Sequence, residues 1–153
     1  MANADSRVQH SSTTTQIEFH MRANPEYLSV ARAVIRQTFR TAGLEEDNCQ
    51  LVALAVEEAL TNIIRHSYGG PCDQLIIIKL GTIDRYNDNG PALEIAIRDF
   101  GRQVDPRSIK AQKPDDSRPG GRGVHIMESV MDEIEFSRAD DCGMELRMVR
   151  RIT

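Results

Sequence analysis

The 153-residue sequence lacks tryptophan, and aromatic residues make up only 5% of it. Its three cysteines, Cys49, Cys72 and Cys142, have no CxxC spacing, and its four histidines have no HExxH or paired spacing. These absences argue against a disulfide framework, a zinc site or any metal bound by histidine. We therefore expect three reduced thiols that act as packing or surface residues.

Two further absences concern membranes and nucleic acids. No apolar run approaches the roughly 18–20 residues that a membrane span needs. The net charge is −4 with no long block of one sign, so we expect no nucleic acid held by a broad basic face. The polar start has no basic segment followed by an apolar stretch, so it is not a secretory signal. We expect a cytoplasmic protein with a disordered tail at residues 1–14 and one domain at residues 15–153.

What the sequence does contain is a succession of periodic apolar segments. Alternating or β-branched segments predict five strands, of which the second, Gln74–Leu80, is expected to be buried on both faces. Helical spacing predicts three helices, the first opening at Asn24-Pro25. The order β-α-α-β-β-loop-α-β-β predicts an α+β sandwich, a mixed and mostly antiparallel sheet covered on one face by helices. The apolar stripes predicted for the first two helices are Tyr27, Val30, Ala31, Val34, Ile35, Thr38 and Phe39, and Leu51, Leu54, Ala55, Ala59, Ile63 and Ile64.

Glu58 and Asn62 form the first candidate site motif. Residues four apart share a helix face, about 6 Å apart along the axis. An amide oxygen is a suitable magnesium ligand, and a carboxylate one turn away could accept a proton from an attacking hydroxyl. Alone, such a pair is usually a solvated stripe, but Asn is a mediocre helix former in a segment this apolar. Glu57 is the rival carboxylate, about 100° round the helix.

Two glycine motifs follow. Asp99 comes directly after the strand Leu93–Arg98, where its carboxylate could accept a hydrogen bond from the exocyclic amine of adenine. Gly101 would let the backbone pass close to a planar base. Residues 120–123, Gly-Gly-Arg-Gly, precede a helix predicted at Val124–Met131, where exposed amides favour phosphate. Taken singly, these motifs are also compatible with an ordinary turn and a flexible hinge.

The segment between the glycine motifs is basic within an acidic protein. It lacks an apolar pattern and reads as a mobile loop over Arg102–Arg118, with a helical turn near Pro106–Ala111. A positive lid over a triphosphate would explain the charge, although solvated loop charge is the simpler explanation for most of it. The basic residues are Arg102, Arg107, Lys110, Lys113, Arg118 and Arg122.

Together the three motifs resemble those of the GHKL ATPase superfamily. Val56–Asn62 is similar to its N-box, Asp99-Phe100-Gly101 to its first glycine box, and Gly120–Gly123 to its second. The motif Glu58-Ala-Leu-Thr-Asn62, together with His66-x-Tyr68, most resembles one branch of the superfamily. That branch is the anti-sigma factor serine/threonine kinases of bacterial partner-switching systems.

This resemblance implies a Bergerat-type ATP site with Glu58 as general base and Asn62 as a magnesium ligand. It implies that Asp99 contacts adenine beside Gly101, and that Gly120, Gly121, Arg122 and Gly123 lie on the phosphate side. It also implies a homodimer that binds a sigma factor and phosphorylates a STAS-domain anti-sigma factor antagonist. Arg32 falls where a sigma-contacting arginine is expected.

One departure from the branch concerns the lid. The segment between Gly101 and Gly120 is short and lacks the aromatic residues and the Thr-Thr-Lys-like motif that are usual in the lid of this branch. Two other hypotheses therefore stand beside the kinase: a non-catalytic switch that binds adenine nucleotide, and a partner-binding domain with an eroded pocket. Histidine-kinase function is disfavoured because no separate dimerisation helix with a phosphoacceptor histidine is present.

Overall fold

A computed structural model describes residues 12–109 and 121–152, without the side chains of residues 121–123. Most of the predicted tail lies outside the described residues, but Thr14 already begins the first strand. The strands are β1 (Thr14–Arg22), β2 (Leu75–Ile83), β3 (Ala92–Arg98), β4 (Glu133–Arg138) and β5 (Met144–Arg151). The helices are α1 (Leu28–Thr41), α2 (Glu46–Asn62) and α3 (Gly121–Val130).

The described strands form one sheet in the order β1-β2-β3-β5-β4, and neighbouring strands are antiparallel. The connection through α3 and β4 places β5 beside β3. Asp99, just after β3, therefore lies next to Met144 at the start of β5, and its amide donates to the Met144 carbonyl at 3.0 Å. The predicted α+β sandwich and its element order are confirmed.

All three helices cover one face of the sheet, with α2 packed between α1 and α3. The strand side chains on that face are buried and join the helices in a single main core. The opposite face carries exposed charge, including Glu18 and Lys79. The prediction that the second strand is buried on both faces is therefore wrong. Antiparallel sheets commonly leave one face in water, and Ile77 on that face is only half-buried.

The predicted helix start at Asn24 is confirmed. The Asn24 side chain accepts a hydrogen bond from the Glu26 amide at 3.1 Å, and Pro25 opens a short 3₁₀ turn, Pro25–Tyr27, that leads into α1. Gly43 follows α1 with φ = 101°, a conformation that favours glycine.

The predicted core stripes are partly wrong. Val30 is 58% exposed and Leu51 is 46% exposed, whereas both were expected to face the core. Helix α2 is apolar on most of its circumference, so the sequence does not decide which side meets the sheet. The residues of α2 that are buried are Cys49, Val52, Ala53, Ala55, Val56, Ala59 and Leu60.

Helix α2 does not stop at Asn62 but continues as one wider turn, the π-turn Ile63–Ser67. Such turns are rare and occur often at functional sites. The extra residue per turn changes which side chains face the sheet. It carries His66 and Ser67 to the end of β3.

Candidate functional site

A cavity of about 350 Å³ opens between the C-terminal end of α2, the end of β3 and the helix α3. Asn62, His66 and Ser67 line it from α2 and the π-turn, and Asp99 lines it from the end of β3. Its apolar walls come from the sheet, from α3 and from the loop after β3, and they include Ile97, Leu146, Val124, Met127, Ile109 and Phe136. A concave, mostly apolar space with a few convergent polar groups is typical of a small-molecule site.

The structure brings two of the predicted site residues together and leaves a third outside the cavity lining. Asn62 and Asp99 line the same cavity. Glu58 is not among the lining residues and lies half-buried one turn before Asn62 on α2. At about 1.5 Å rise per residue, Glu58 lies about 6 Å from Asn62 along the axis, on the side away from Ser67 and Asp99. The roles assigned to these three residues stay predictions.

Asp99 is 2% exposed, and no other polar or charged residue in the described ranges is classed as buried. Its Oδ1 accepts hydrogen bonds from the Gly101 amide at 2.9 Å and the Met144 amide at 3.3 Å. Its Oδ2 accepts one from the Ser67 hydroxyl at 3.3 Å. A buried carboxylate held in this way is a fixed acceptor with a defined direction.

Burial raises the pKa of Asp99 above its ordinary value, because the cavity wall disfavours the charged form. The two backbone amides, the Ser67 hydroxyl and the nearby Arg98 charge act in the opposite direction. A buried acid with a perturbed pKa in a cleft is a good candidate for a functional residue.

Gly101 packs against the π-turn. A Cβ built on Gly101 would lie 2.3 Å from the Ser67 carbonyl oxygen, closer than any real contact allows. The Ser67 carbonyl also accepts the Arg102 amide at 3.0 Å, so the two segments are bonded as well as packed. The close contact that the structure shows at Gly101 is therefore with the backbone of Ser67, and the predicted approach to a planar base stays a prediction.

Tyr68 connects the same region to the sheet. Its hydroxyl donates to the Leu75 carbonyl at 2.6 Å and accepts the Phe100 amide at 2.8 Å. Burial raises the pKa of Tyr68, so the phenol keeps the proton that it donates. Gly143, in the turn before β5, touches the backbone of Asp99 from the other side. The loop that carries Asp99 is thus held from both directions.

The glycine motif at residues 120–123 is only partly within the described chain. Gly121, Arg122 and Gly123 form the first turn of α3, although the helix was predicted to begin at Val124. Gly120 and the side chain of Arg122 lie outside the described residues. Val124 and Met127 line the cavity, so the start of α3 borders it. The phosphate-side roles of these four residues stay predictions.

Residues 102–109 are not a mobile loop but are held by hydrogen bonds to other segments. The Gln103 side chain donates to the Ala139 carbonyl at 2.6 Å, and Arg138 donates to the Val104 carbonyl at 3.3 Å. The predicted helical turn exists as a short 3₁₀ turn, Pro106–Ser108. This part of the predicted mobile loop is therefore a wall of the cavity tied to β4 and the turn after it. The rest of that loop, residues 110–118, lies outside the described residues.

Two of the basic loop residues can be placed. Arg102 lines the cavity, while Arg107 pairs with Asp105 at 3.1 Å on the surface. Lys110, Lys113 and Arg118 lie outside the described residues. Arg102 is thus the basic residue of this loop, within the described part, that reaches the cavity, and the positive lid over a triphosphate stays a prediction.

Arg32 lies on the exposed side of α1 and pairs with Glu57 of α2 at 3.4 Å. Glu57, the rival carboxylate, therefore faces α1 and not the cavity. Such surface ion pairs contribute about 0–1 kcal/mol to stability. The pair leaves the Arg32 side chain about half exposed, so a partner can reach it.

The residues present fit a magnesium ion bound mainly by phosphate. Across residues 12–109 and 121–152, no three His, Cys, Asp or Glu residues cluster as they would in a metal cage. Asn62 lines the cavity and would supply one hard oxygen there, and magnesium usually takes only one or two protein ligands beside waters and substrate phosphates. Within the same residues, no helix is long and apolar enough to cross a membrane.

Comparison with known proteins agrees with this geometry. The profile of the histidine kinase-like ATPase domain matches residues 21–150, from the end of β1 to the end of the sheet. The chain belongs to the histidine kinase-like ATPase domain family. The matched segment includes Glu58, Asn62, Asp99 and the glycines before and within α3.

Individual members of the family give a more specific likeness. The chain is 29% identical over 149 residues to a serine-protein kinase RsbW of Staphylococcus epidermidis, covering 92% of this chain and 89% of that protein. It is 30% identical over 129 residues to the RsbW of Oceanobacillus iheyensis, covering 79% and 78%. A solved histidine kinase domain from Erythrobacter litoralis EL346 matches 84% of this chain and 60% of its own, with a TM-score of 0.45 and 16% identity.

Proposed function

We propose that the protein is a Mg-ATP-dependent serine/threonine kinase that also acts as an anti-sigma factor. It would sequester a sigma factor and phosphorylate a STAS-domain antagonist in a bacterial partner-switching system. The observation that carries the proposal is a single cavity lined by both Asn62 and Asp99. The Asp99 carboxylate is buried and accepts three hydrogen bonds. The serine-protein kinases that resemble the chain over most of its length support the same function.

The order of residues along α2 supports one direction for bound ATP. Asp99 is bonded to Ser67, at the C-terminal end, and would accept the adenine amine. Asn62 comes earlier on the helix and Glu58 earlier still. The base therefore lies at the Ser67 end, and the phosphates extend toward Asn62 and Glu58. In this direction Glu58, which is not among the lining residues, lies beyond Asn62.

In the transfer step, the acceptor hydroxyl oxygen attacks the γ-phosphorus and the bond to the β,γ-bridging oxygen breaks, releasing ADP. Glu58 accepts the proton that the hydroxyl loses. Asn62 and the first turn of α3 hold the phosphates in line, so positioning supplies much of the acceleration. Magnesium, when bound, offsets the negative charge on the phosphate oxygens.

The partner surface is proposed on α1. Arg32 is about half exposed on this helix, where it pairs with Glu57 of α2. Val30, which is 58% exposed, lies two residues earlier and therefore on another side of the helix. Arginine is enriched at protein interfaces and among the residues that contribute most to binding. We assign the sigma factor to this surface. The homodimer and the cytoplasmic location remain parts of the proposal.

A second function, a nucleotide-dependent switch without catalysis, is favoured by the position of Glu58 outside the cavity lining. Incubation with γ-labelled ATP and the candidate antagonist separates the two. Stoichiometric label on the antagonist supports the kinase. Binding of the antagonist that depends on nucleotide but leaves no label supports the switch, and failure to bind any adenine nucleotide contradicts both.

A further inference from the structure

Ser67 is the one side chain within the described residues that donates a hydrogen bond to Asp99. The other two donors, Gly101 and Met144, use backbone amides, which no substitution short of proline removes. Ser67 also lines the cavity, so its hydroxyl lies where Asp99 meets a ligand. Ser67 is therefore the residue whose substitution can remove a hydrogen bond from the Asp99 carboxylate.

The Asp99 carboxylate accepts fewer hydrogen bonds from the described residues than it has acceptor positions. A carboxylate offers about four acceptor positions. Two amides occupy Oδ1, and the Ser67 hydroxyl occupies one position on Oδ2. Among the described residues, one acceptor position is left without a donor, on Oδ2, the oxygen that accepts from Ser67. A ligand at that position must present a donor.

We infer that Ser67 is a positioning residue that makes Asp99 select a 6-amino purine over a 6-oxo purine. This inference rests on the proposed adenine contact and adds its specificity. The amine of adenine donates to the vacant position on Oδ2. The carbonyl of hypoxanthine would face the carboxylate with two acceptors opposed, which leaves both groups without a partner.

The charges around Asp99 explain why the Ser67 hydroxyl matters. Arg98 comes directly before Asp99, while His66 and Arg102 line the same cavity and Tyr68 lies behind the loop. Burial favours the protonated acid and raises the pKa of Asp99, and the two backbone amides, the Ser67 hydroxyl and the Arg98 charge act in the opposite direction. Without Ser67, Oδ2 would take up a proton more readily and could then donate to a 6-oxo group.

The test compares the dissociation constants of ATP and inosine triphosphate by calorimetry, for wild type and Ser67→Ala, at mildly acidic and mildly alkaline pH. We expect wild type to prefer ATP. In Ser67→Ala the ratio of the two constants should fall roughly three- to tenfold, as for loss of one ordinary hydrogen bond, since the contact is long at 3.3 Å. The fall should be greatest at the acidic pH. Ser129→Ala is the matched control, because its hydroxyl bonds the Ile126 carbonyl on α3.

A second pair of variants separates specificity from folding. Ser67→Thr and Ser67→Val have nearly the same shape and differ in the hydroxyl. We expect the threonine variant to keep the wild-type ratio and the valine variant to lose it, with both checked for folding by circular dichroism. If the ratio of the ATP and inosine triphosphate dissociation constants is unchanged in Ser67→Ala and Ser67→Val, the inference about Ser67 is overturned. The proposed kinase function is not affected by that result. A wild type that binds neither nucleotide overturns the proposed function as well.

Discussion

The two ends of the candidate site differ in how firmly they are held. At the base end, Asp99 is bonded to Ser67, Gly101 and Met144, and its loop is tied to Tyr68. At the phosphate end, neither Glu58 nor Asn62 has a side-chain hydrogen bond within the described part of the chain. The proposed base end is thus organised without a ligand, and we expect the proposed phosphate end to take its final geometry only when a nucleotide binds. Specificity for the base and catalysis should therefore respond separately to mutation.

The largest effect is expected at the phosphate end. Glu58→Gln should lower phosphoryl transfer about 10²–10⁴-fold, the range typical of a lost general base. Nucleotide affinity should stay near that of wild type, because the base end is untouched. Single-turnover transfer of labelled phosphate to the antagonist measures the rate, and calorimetry measures the affinity.

Glu57→Gln is the matched control for that experiment. Glu57 is the adjacent carboxylate and faces Arg32 on α1. Its loss should leave transfer unchanged. Wild-type rates in Glu58→Gln would remove Glu58 from the mechanism.

The base end can be broken through its backbone. Gly143 has φ = 72°, and a Cβ there would lie 2.1 Å from the Asp99 carbonyl oxygen. Gly143→Ala should lower the free energy of unfolding by about 2–4 kcal/mol through strain and the clash. Gly90 has a similar φ of 92° but open space around it, so Gly90→Ala should cost about 1 kcal/mol. Equal losses in denaturant titrations would show that the contact with Asp99 is not tight.

Asp99→Asn tests the base end through its chemistry. The amide replaces one acceptor oxygen with a donor, so ATP affinity should fall about 10–100-fold by calorimetry. Asp88→Asn is a suitable control, because Asp88 lies in the exposed β2–β3 turn with φ = 60°. An unchanged dissociation constant in Asp99→Asn would contradict the adenine contact.

The pH dependence of ATP binding sharpens the same comparison. Ionised Asp99 can accept the adenine amine at Oδ2, whereas a proton on that oxygen would take the acceptor position, and burial raises the pKa of Asp99 above the ordinary 3.8. As pH falls through that raised pKa, Asp99 gains a proton and the wild-type affinity should fall. Asp99→Asn should lack this component.

The smallest effect concerns a region outside both ends. Arg32→Ala should change the free energy of unfolding by less than about 1 kcal/mol, since its ion pair with Glu57 is solvent-exposed. Affinity for the candidate sigma factor should fall about tenfold if Arg32 lies in the centre of the interface. Arg36→Ala, which loses the neighbouring pair with Glu46, controls for charge on α1. Equal affinities for the two variants would place the sigma factor elsewhere.

Much of the architecture follows from local sequence patterns. Alternation marked β1, β3 and β5, and Asn24 and Gly43 marked the ends of α1, because these signals act within a few residues. Burial was harder to predict. Leu51 and Val30 are apolar but exposed, since which side of a helix meets the sheet depends on tertiary packing.

In the candidate site, too, some features could be predicted from local sequence and others depend on tertiary packing. Asn62 and Asp99 could be paired from their motifs, and both line one cavity. Ser67 could not be predicted, because its bond to Asp99 joins residues 32 apart in sequence and depends on a π-turn for which the sequence carries no local signal. His66 stood in a motif and Arg102 in the basic loop, but nothing in the sequence showed that they face the same space.

A structure with a non-hydrolysable ATP analogue and magnesium tests the central proposal most directly. We expect the adenine amine within hydrogen-bond distance of Asp99 Oδ2, beside the Ser67 hydroxyl, and the phosphates beyond Asn62 toward Glu58. An analogue bound with its base away from Asp99, or with its phosphates at the Ser67 end, would contradict the proposed site.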